Sequence, residues 1–362
     1  LSFIASTLIA ENWPGWRGPR GDGTSLEKNI PTKWSAENNI AWKMAVPGKG
    51  HASPVIWGER VFLVTCLPDQ KERVLMCLDR RTGKTLWQRT VFKCPLETIH
   101  RLNSRASSTP ATDGKLVYVT FLKVDGRTIP APNVGSSRPI TPGTILVAAY
   151  DMNGEKKWMV EVGEFISAHG FNTCPVIYQD LVIINGDHDG NAYIVALDRK
   201  TGKERWRVDR ENKTRSYVTP IIRKIGKRTQ MVLSGSKSVA SYDPTSGKRH
   251  WILDGPTEQF VASMVFNGKH LFVTGGFPER HILAIRPDGN GNVTKTHIAW
   301  RASRGAAYVP SPIVEGQYLI VVSDSGIASC FNTVDGKRLW MERLGGGHSA
   351  SIVSAEGLVY FT

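Results

Sequence analysis

The sequence predicts an all-β fold, a β-propeller of seven or eight blades, of which this chain supplies six complete blades and part of another. A motif of an acid or amide, a Gly and a Trp recurs along the 362 residues, as DRRTGKTLW at 79–87 and DRKTGKERW at 198–206. A hairpin pattern follows each copy, and a run of alternating apolar residues precedes it. Four-stranded sheets cannot bury both of their faces alone, so the repeats are expected to stack radially.

The chain is expected to have three parts: a signal-peptide remnant at 1–10, an N-terminal leader at 11–33 and the propeller at 34–362. Residues 1–10, LSFIASTLIA, are apolar and precede a polar stretch, which is typical of the end of a secretory signal peptide. Leu8 fits a cleavage site poorly, and an ordinary first strand is the alternative. Export predicts a periplasmic or secreted protein. The chain has no long apolar run, so no transmembrane helix is expected.

Each motif copy is expected to form the turn between the third and fourth strands of a blade. The Trp stands four residues after the Gly in five copies: Gly83 and Trp87, Gly154 and Trp158, Gly202 and Trp206, Gly247 and Trp251, and Gly336 and Trp340. A stretched copy ends at Trp300, and Trp42 is an isolated copy near the N-terminus. Asp nucleates a tight turn, and Gly accepts a positive φ there. A Trp at this fixed offset is expected to pack between adjacent blades, where its indole N–H needs a partner.

The hairpin after each motif is expected to form the first two strands of the next blade. Its first strand starts at an equivalent position in every repeat: Pro54, Pro110, Pro175, Pro220, Met264, Pro312 and Ile352. Pro suits the first residue of a strand, since a missing N–H costs little there. In the simplest ring, of seven blades, a strand that ends at Trp42 would join the last two strands of the chain in one shared blade; the alternative, which we favour, is a natural ring of eight blades of which one and a half are missing. The chain is also expected to be truncated at both ends, because it stops inside a strand pattern.

The pattern D-x-x-T-G-x-x-x-W resembles the tryptophan-docking motif of the pyrroloquinoline-quinone (PQQ) propeller superfamily, over about residues 34–362. This superfamily includes the quinoprotein alcohol dehydrogenases and the outer-membrane β-barrel assembly lipoprotein. The stretch WPGWRGPRGDGTS at 13–25 is similar to the leader of secreted PQQ-like propellers. The resemblance implies the architecture, with eight blades in relatives, and it does not imply one activity.

For quinone-dependent oxidation, the resemblance implies further features: adjacent bridged cysteines, a calcium ligand set and a catalytic Asp. The five cysteines are scattered, at Cys66, Cys77, Cys94, Cys174 and Cys330. No calcium set can be matched. Asp187 and Asp189 in GDHDGNAY lack the rest of a calcium-loop signature, which favours a tight polar hairpin. We therefore predict neither a PQQ cofactor nor a bound metal.

Residues before each first strand are expected to surround the axis on one face of the ring, which we call the mouth face. They are polar, aromatic or basic: His51, Arg105, Ser107, His169, Asn172, Tyr217, Phe260, Tyr308 and His348, with His100 and Asn103 nearby. They predict a pocket for an anionic or heavily hydroxylated ligand, with Arg105 as a bidentate donor. Histidine protonation is expected to strengthen binding as the pH falls through about 6.5. The alternative is that these side chains satisfy inner-strand backbone groups and fill the channel.

An insert and a basic rim are the surface features that the sequence predicts. Residues 123–144 are rich in Pro, Gly and Ser and are expected on the mouth face, where they cover the pocket or form a neutral insertion. The net charge of +14 includes one Lys in each regular motif turn: Lys84, Lys156, Lys203, Lys248 and Lys337. These lysines predict a basic rim, for solubility or for attraction to anionic glycans, lipid surfaces or acidic partners. Nucleic acid is not expected as a partner, since the sequence contains no known binding module.

These observations favour an exported, non-enzymatic propeller that binds a small ligand or a protein partner. A quinoprotein-type oxidoreductase is the first alternative, although the cysteine and calcium features are missing. A hydrolase or lyase that uses the His, Arg and Tyr side chains of the mouth is the second alternative. That second alternative depends on whether His51, His169 and His348 converge.

Overall fold

The computed structural model describes residues 10–361 and confirms the all-β prediction, because this part of the chain forms strands, turns and no helix. The predicted signal-peptide remnant at 1–10 lies outside the described residues except for Ala10. Within the described range, no helix is long and apolar enough to cross a membrane.

Six antiparallel sheets follow one another along the chain, and we call them blades 1 to 6. A short strand, β1 (Thr24–Ser25), precedes them. Blade 1 contains β2 (Val55–Trp57), β3 (Arg60–Leu67), β4 (Glu72–Asp79) and β5 (Thr85–Lys93). Blade 2 contains β6 (Ala111–Thr112), β7 (Leu116–Lys123), the separate hairpin β8 (Ile129–Pro130) and β9 (Pro139–Ile140), then β10 (Gly143–Asp151) and β11 (Lys156–Phe165). Blade 3 contains β12 (Val176–Tyr178), β13 (Leu181–Gly186), β14 (Tyr193–Asp198) and β15 (Glu204–Asp209).

The second half of the chain repeats this arrangement. Blade 4 contains β16 (Ile221–Ile225), β17 (Arg228–Gly235), β18 (Ser238–Tyr242) and β19 (Arg249–Asp254). Blade 5 contains β20 (Val265–Phe266), β21 (Leu271–Gly275), β22 (His281–Ile285) and, after the short β23 (Gly291–Asn292), β24 (Ile298–Ala302). Blade 6 contains β25 (Ile313–Glu315), β26 (Tyr318–Val322), β27 (Ile327–Asn332) and β28 (Arg338–Arg343). A terminal sheet joins β29 (Val353–Ala355) and β30 (Leu358–Tyr360) to β1.

The inner strands of a blade are buried on both faces because a neighbouring blade covers each face. In β13, Val182 and Ile184 pack in one core cluster with residues of blade 2. Leu181 and Ile183 of the same strand pack in another cluster with residues of blades 4 and 5. This explains why the sequences of these strands are continuous apolar runs. In a sheet with one face exposed to solvent, apolar and polar residues would alternate along each strand. The outermost strands are the solvated ones, and all six residues of β28 are exposed.

The motif turns bring a Trp of one blade against a Gly of the next. The motif glycines have positive φ: Gly83 (70°), Gly154 (81°), Gly202 (73°), Gly247 (71°) and Gly336 (73°). A Cβ added at each Gly would lie within 3 Å of an indole: Gly83 with Trp42, Gly154 with Trp87, Gly202 with Trp158, Gly247 with Trp206 and Gly336 with Trp300. The indole of Trp340 is 44 % exposed, and no motif turn lies against it in the described part of the chain.

The N-terminal part differs from the sequence expectation. No strand ends at Trp42, and residues 26–54 form no strand at all. Instead β1 pairs in parallel with β29, with Thr24 beside Ser354 and Ser25 beside Ala355. The side chains of Trp42 and Met44 pack against apolar residues of blade 1, but the backbone of this segment makes only an isolated bridge, from Lys49 to Cys66. The indole of Trp42 nevertheless packs against Gly83, because this contact does not require Trp42 to lie in a strand.

Strand alternation places the loops on two faces. The loops that enter first strands, and those between second and third strands, lie on the mouth face. The hairpins between first and second strands lie at the opposite end together with the motif turns, and we call this end the turn face. The insert at 123–144 connects β7 to β10, so it rises on the mouth face.

Candidate functional site

A run of hydroxyl and thiol side chains surrounds the axis, and it was not singled out from the sequence. These side chains occupy the position just before each first-strand start: Ser53, Thr109, Cys174, Thr219, Ser263, Ser311 and Ser351. The amide of Ser53 donates to Thr109 Oγ1 at 3.0 Å. The amide of Ser311 donates in the same way to Ser351 Oγ at 3.0 Å. Each such bond ties the backbone of one sheet to a side chain of the next, so inner-strand groups are satisfied around the axis.

The N-terminal leader occupies the turn-face end of the axis. Trp13 exchanges two backbone hydrogen bonds with Ile56 of blade 1, at 2.9 and 2.8 Å. Thr112 of blade 2 donates its amide to the carbonyl of Pro14 at 2.8 Å. Trp16 Nε1 donates to Ser263 Oγ, which precedes the first strand of blade 5, at 2.9 Å. One short segment therefore contacts blades on opposite sides of the ring.

Arg17 anchors the leader between blade 6 and the terminal sheet. Its side chain is buried, and its guanidinium donates to the carbonyls of Ile352 at 3.0 Å and Pro312 at 2.8 Å. Burial lowers the pKa of Arg17 to about 10, so the side chain stays charged at neutral pH. The leader thus stops the channel at the turn face and leaves the mouth face as the approach to the axis.

Three of the predicted mouth residues come together on the mouth face. The rings of His100 and His169 lie 5.5 Å apart in an edge-to-face arrangement. The ring of Tyr217 lies 6.1 Å from that of His169. Asn103 Nδ2 donates to the carbonyl of His169 at 2.8 Å, which fixes the two loops relative to each other. The loops that enter blades 2, 3 and 4 therefore converge.

Arg215 completes this group, and sequence reasoning missed it. Its side chain is 3 % exposed and forms an ion pair with Asp189 at 2.8 Å. Its Nη2 donates to the carbonyl of Asn133 in the insert at 3.1 Å, whereas its Nε has no partner among the described residues. Asp187 is likewise buried and pairs with Arg210 at 2.8 Å. The two acids of GDHDGNAY thus lie inside the protein as partners of arginines, within the hairpin that connects β13 to β14.

The electrostatics of the mouth differ from the sequence expectation. Burial, with the nearby cations Arg215, His100 and Arg138, lowers the pKa of His169 to about 4. Burial and the cations Arg101 and Arg138 also lower the pKa of His100. His169 is therefore neutral at pH 6.5, and the expected titration near that value is wrong for this residue. The positive charge of the mouth at neutral pH rests on the guanidinium groups.

The remaining predicted residues lie elsewhere around the mouth. Tyr308 donates its hydroxyl to Gln259 Oε1 at 3.2 Å, and its amide donates to Asp324 Oδ2 at 2.7 Å. The amide of His348 donates to the carbonyl of Asp324 at 3.0 Å, so this residue lies beside the loop between β26 and β27 of blade 6. Burial raises the pKa of Tyr308 to about 12. Asn172 is half-buried and Phe260 is fully buried.

His51, Asn103 and Arg105 line a cavity of about 750 Å³ beside blade 1. The lining also includes the cations Lys49 and Arg101 and the apolar residues Trp42, Met44, Val61, Leu63 and Leu78. One donor of Arg105 is engaged there, because its Nε donates to the backbone carbonyl of Glu97 at 2.9 Å. Glu97 itself is buried against Arg73. The Nε of Arg105 therefore interacts with Glu97 and is not available to a ligand.

The features of a quinone site are not assembled in this structure. All five cysteines are buried free thiols. Among residues 10–361, no group of three or more His, Cys, Asp or Glu side chains is placed to hold a metal ion. The residues present do not fit the paired cysteines and calcium ligands that the resemblance implies for a quinone cofactor.

Comparison with known proteins bears on the family. Residues 32–131, 135–276 and 236–362 match the family model described as outer membrane protein assembly factor BamB. No curated protein sequence matches the chain.

Three solved structures share the fold. BamB from Moraxella catarrhalis has a TM-score of 0.55 and 17 % identity, over 86 % of this chain and 78 % of that chain. Quinohemoprotein alcohol dehydrogenase from Comamonas testosteroni has a TM-score of 0.54 and 14 % identity, over 98 % and 77 %. A europium-containing methanol dehydrogenase has a TM-score of 0.59 and 13 % identity, over 95 % and 87 %. Likeness at such identities shows the fold alone, and it agrees with the blades described above. The chain belongs to the family of PQQ-like β-propellers described as outer membrane protein assembly factor BamB.

Proposed function

We propose that this protein is a non-catalytic binding scaffold that acts outside the cytoplasm. Its mouth face holds an anionic or heavily hydroxylated group of a ligand or partner. The observation that carries the proposal is the pair of guanidinium groups beside His169, those of Arg215 and Arg138. Within this pair, Arg215 is buried and has an Nε without a partner in the described structure.

The chemistry of this group favours an anion. Asp189 balances one guanidinium, whereas the exposed Arg138 makes no ion pair among residues 10–361. Guanidinium groups donate to carboxylate or phosphate oxygens through a fork of N–H groups, and burial strengthens such bonds. A bound anion would also favour the protonated form of His169, because it offsets the neighbouring cations. Binding is therefore expected to take up a proton.

The insert contributes to the walls of the mouth. Asn133 Nδ2 donates to Asp189 Oδ1 at 3.0 Å, and Arg138 Nη2 donates to the carbonyl of Ala168 at 3.1 Å. The insert therefore reaches from blade 2 to the acid that pairs with Arg215. Since the leader stops the other end of the channel, a ligand would enter beside the insert.

The location outside the cytoplasm has two supports. The apolar residues 1–10 are typical of the end of a signal peptide. The family description names an outer-membrane assembly factor, which acts outside the cytoplasm. A fusion of the full-length precursor to alkaline phosphatase, which is active only after export, tests this part. A fusion protein without alkaline phosphatase activity would contradict the proposed location outside the cytoplasm.

Titration calorimetry with phosphate, citrate and glucuronate tests the mouth. We expect at least one of these probes to bind, and we expect Arg138→Gln to weaken that binding about tenfold or more. Arg127→Gln is the matched control, because Arg127 lies in the same insert and pairs only with the exposed Asp125. Repeating the titration in buffers of different ionisation enthalpy measures the proton uptake. The absence of binding by all three probes, or an equal loss in both variants, would contradict the proposal.

A further inference from the structure

The turn face of blade 4 carries a concentrated positive charge that the proposed function does not use. The hairpin at 223–228 reads RKIGKR, with four cations and no acid. Lys224 and Lys227 at its tip are exposed. Exposed lysines of the neighbouring turns extend this charge into one surface, which we call the basic patch and define as Lys200, Lys203, Lys224, Lys227, Lys248 and Lys269.

Topology brings these lysines to one end of the ring. Lys200 and Lys203 lie in the motif turn of blade 3, and Lys269 lies in the first hairpin of blade 5. Blades 3, 4 and 5 share one core cluster, so their turns are neighbours. Arg228 confirms the closeness, because its guanidinium donates to Asn290 Oδ1 and to the carbonyl of Gly289 in blade 5, both at 2.9 Å.

The acids nearby are engaged in their own turns. Asp243 Oδ1 accepts the amide of Thr245 at 2.7 Å, and Asp198 Oδ1 accepts the amide of Thr201 at 3.0 Å. The ion pairs of blade 3 on this face are made by Arg199 and Arg205. Among the described residues, none of the six patch lysines lies within ion-pair distance of a carboxylate. The exposed acids of the same turns, Asp180 and Asp288, lie instead 3.4 Å from Arg199 and 3.6 Å from His297.

The charge of the turn face is densest at blade 4, although the motif turns of blades 1, 2 and 6 also carry an exposed lysine each, Lys84, Lys156 and Lys337. The first hairpins of blade 6 and of the terminal sheet carry Glu315 and Glu356 and no cation. A uniform coat of lysines for solubility would not leave these hairpins acidic. The asymmetry gives the molecule a preferred orientation towards an anionic surface.

We propose that the basic patch docks the protein on an anionic lipid bilayer. The patch consists of turns that end at one level of the ring, which suits a flat surface better than a narrow polymer chain. Lysine ammonium groups are flexible point charges, and clusters of four to eight cations are typical of binding to anionic lipid headgroups. In this orientation the mouth face points away from the bilayer and stays open to solution.

Sedimentation of the full chain with large vesicles tests the proposal. We expect binding to phosphatidylcholine vesicles that contain about 30 % phosphatidylglycerol, no binding to pure phosphatidylcholine, and release by salt, since salt screens exposed charges. Lys224→Gln with Lys227→Gln is expected to lower the partition coefficient about 25-fold, because each lysine near such a surface contributes about fivefold.

The matched control removes the same charge from the mouth face, through Lys213→Gln with Lys237→Gln. Both control lysines are exposed, and they lie in loops at the opposite end of the sheets. The control variant should keep the partition coefficient of the original protein. Near-ultraviolet circular dichroism verifies that both variants are folded.

Two results would overturn the proposal. The first is an equal loss of vesicle binding in both double variants, which would show that net charge acts without a patch. The second is retention on immobilised heparin or polyglutamate with no binding to the anionic vesicles, which would assign the patch to an acidic polymer. Neither result bears on the mouth, because the phosphate, citrate and glucuronate titrations need no bilayer.

Discussion

Trp251 and Pro287 are joined through the side chain of Gln230. Trp251 Nε1 donates to Gln230 Oε1 at 2.9 Å, and Gln230 Nε2 donates to the carbonyl of Pro287 at 2.9 Å. In other blades the indole reaches the equivalent carbonyl directly, as Trp42 does at Arg80 (2.8 Å) and Trp158 at Arg199 (3.0 Å). Gln230 therefore acts as a relay where the direct bond is missing.

The reason for the relay lies in the turn of blade 5. This turn is the stretched copy of the motif, and it includes β23, which pairs in parallel with β19 beside Trp251. The added strand fills the place of the motif Gly, so the indole cannot approach the turn. A glutamine on the second strand of blade 4 spans the remaining distance.

Replacement of Trp251 by Phe should cost more stability than replacement of Trp206 by Phe. The indole N–H of Trp206 has no partner among the described residues, whereas that of Trp251 is bonded to Gln230. The loss of one buried hydrogen bond predicts a difference of about 1–2 kcal/mol in the free energy of unfolding. Urea denaturation of the two variants measures it. Equal losses would show that the relay adds nothing.

Gly83→Ala should destabilise the protein more than Gly316→Ala. Both glycines have positive φ, of 70° and 56°, so both variants carry the same kind of backbone strain. A Cβ at Gly83 would meet the indole of Trp42, whereas a Cβ at Gly316 meets open space. We expect about 1–2 kcal/mol for Gly316→Ala from strain alone. Displacement of the indole should add about 1–3 kcal/mol for Gly83→Ala, measured by denaturant unfolding. Identical midpoints would contradict this.

Arg17→Met should weaken the hold of the leader on the ring. The substitution removes the donors to the carbonyls of Ile352 and Pro312, and buried groups without partners cost about 1–3 kcal/mol each. We expect a loss of about 2–4 kcal/mol in thermal or urea unfolding, together with faster proteolysis near residue 17. Lys28→Met, at an exposed position of the same segment, is the control. A neutral outcome for Arg17→Met would mean that the leader binds without its arginine.

Stability should rise with pH between about 4 and 6.5. Burial lowers the pKa of both His169 and His281 to about 4, below the ordinary value of about 6.5 that applies to the unfolded chain. The unfolded state therefore binds more protons in this window, so acid favours unfolding, and these groups add no pH dependence above it. Urea midpoints at pH 7, 6 and 5 should fall in that order. His281→Gln should flatten the slope, and a slope parallel to that of the original protein would contradict the assignment.

The blades could be predicted because their signal is local and repeated. Each motif turn and hairpin lies within a few tens of residues, and the Trp-to-Gly contacts follow from the repeat itself. The prediction of a strand at Trp42 is wrong, because it relied on the repeat of the tryptophan alone. The indole matched the repeat, while the residues before it lacked the alternating apolar pattern of a strand.

The mouth was harder to predict, because its charges come from positions that do not repeat. Arg215, Asp189 and Asn133 lie in three different loops, and their bonds connect residues up to 82 positions apart. The repeat predicted that the entry loops share one face, which brings His100, His169 and Tyr217 together. It could not reveal that Glu97 engages Arg105, since no periodic pattern encodes a buried ion pair. The ligand role of these residues stays a prediction.

The leader imposes an order on biosynthesis. Residues 12–25 are synthesised before the blades, yet the partners of Arg17 lie 295 and 335 residues further along the chain. The early blades can form from nearby contacts. The leader, with its two tryptophans, lacks its hydrogen-bond partners until the last sheets have been synthesised. Such distant contacts slow folding and expose apolar surface in the meantime. The leader can therefore bind only after the last sheets have formed, so its apolar side chains stay exposed through most of folding.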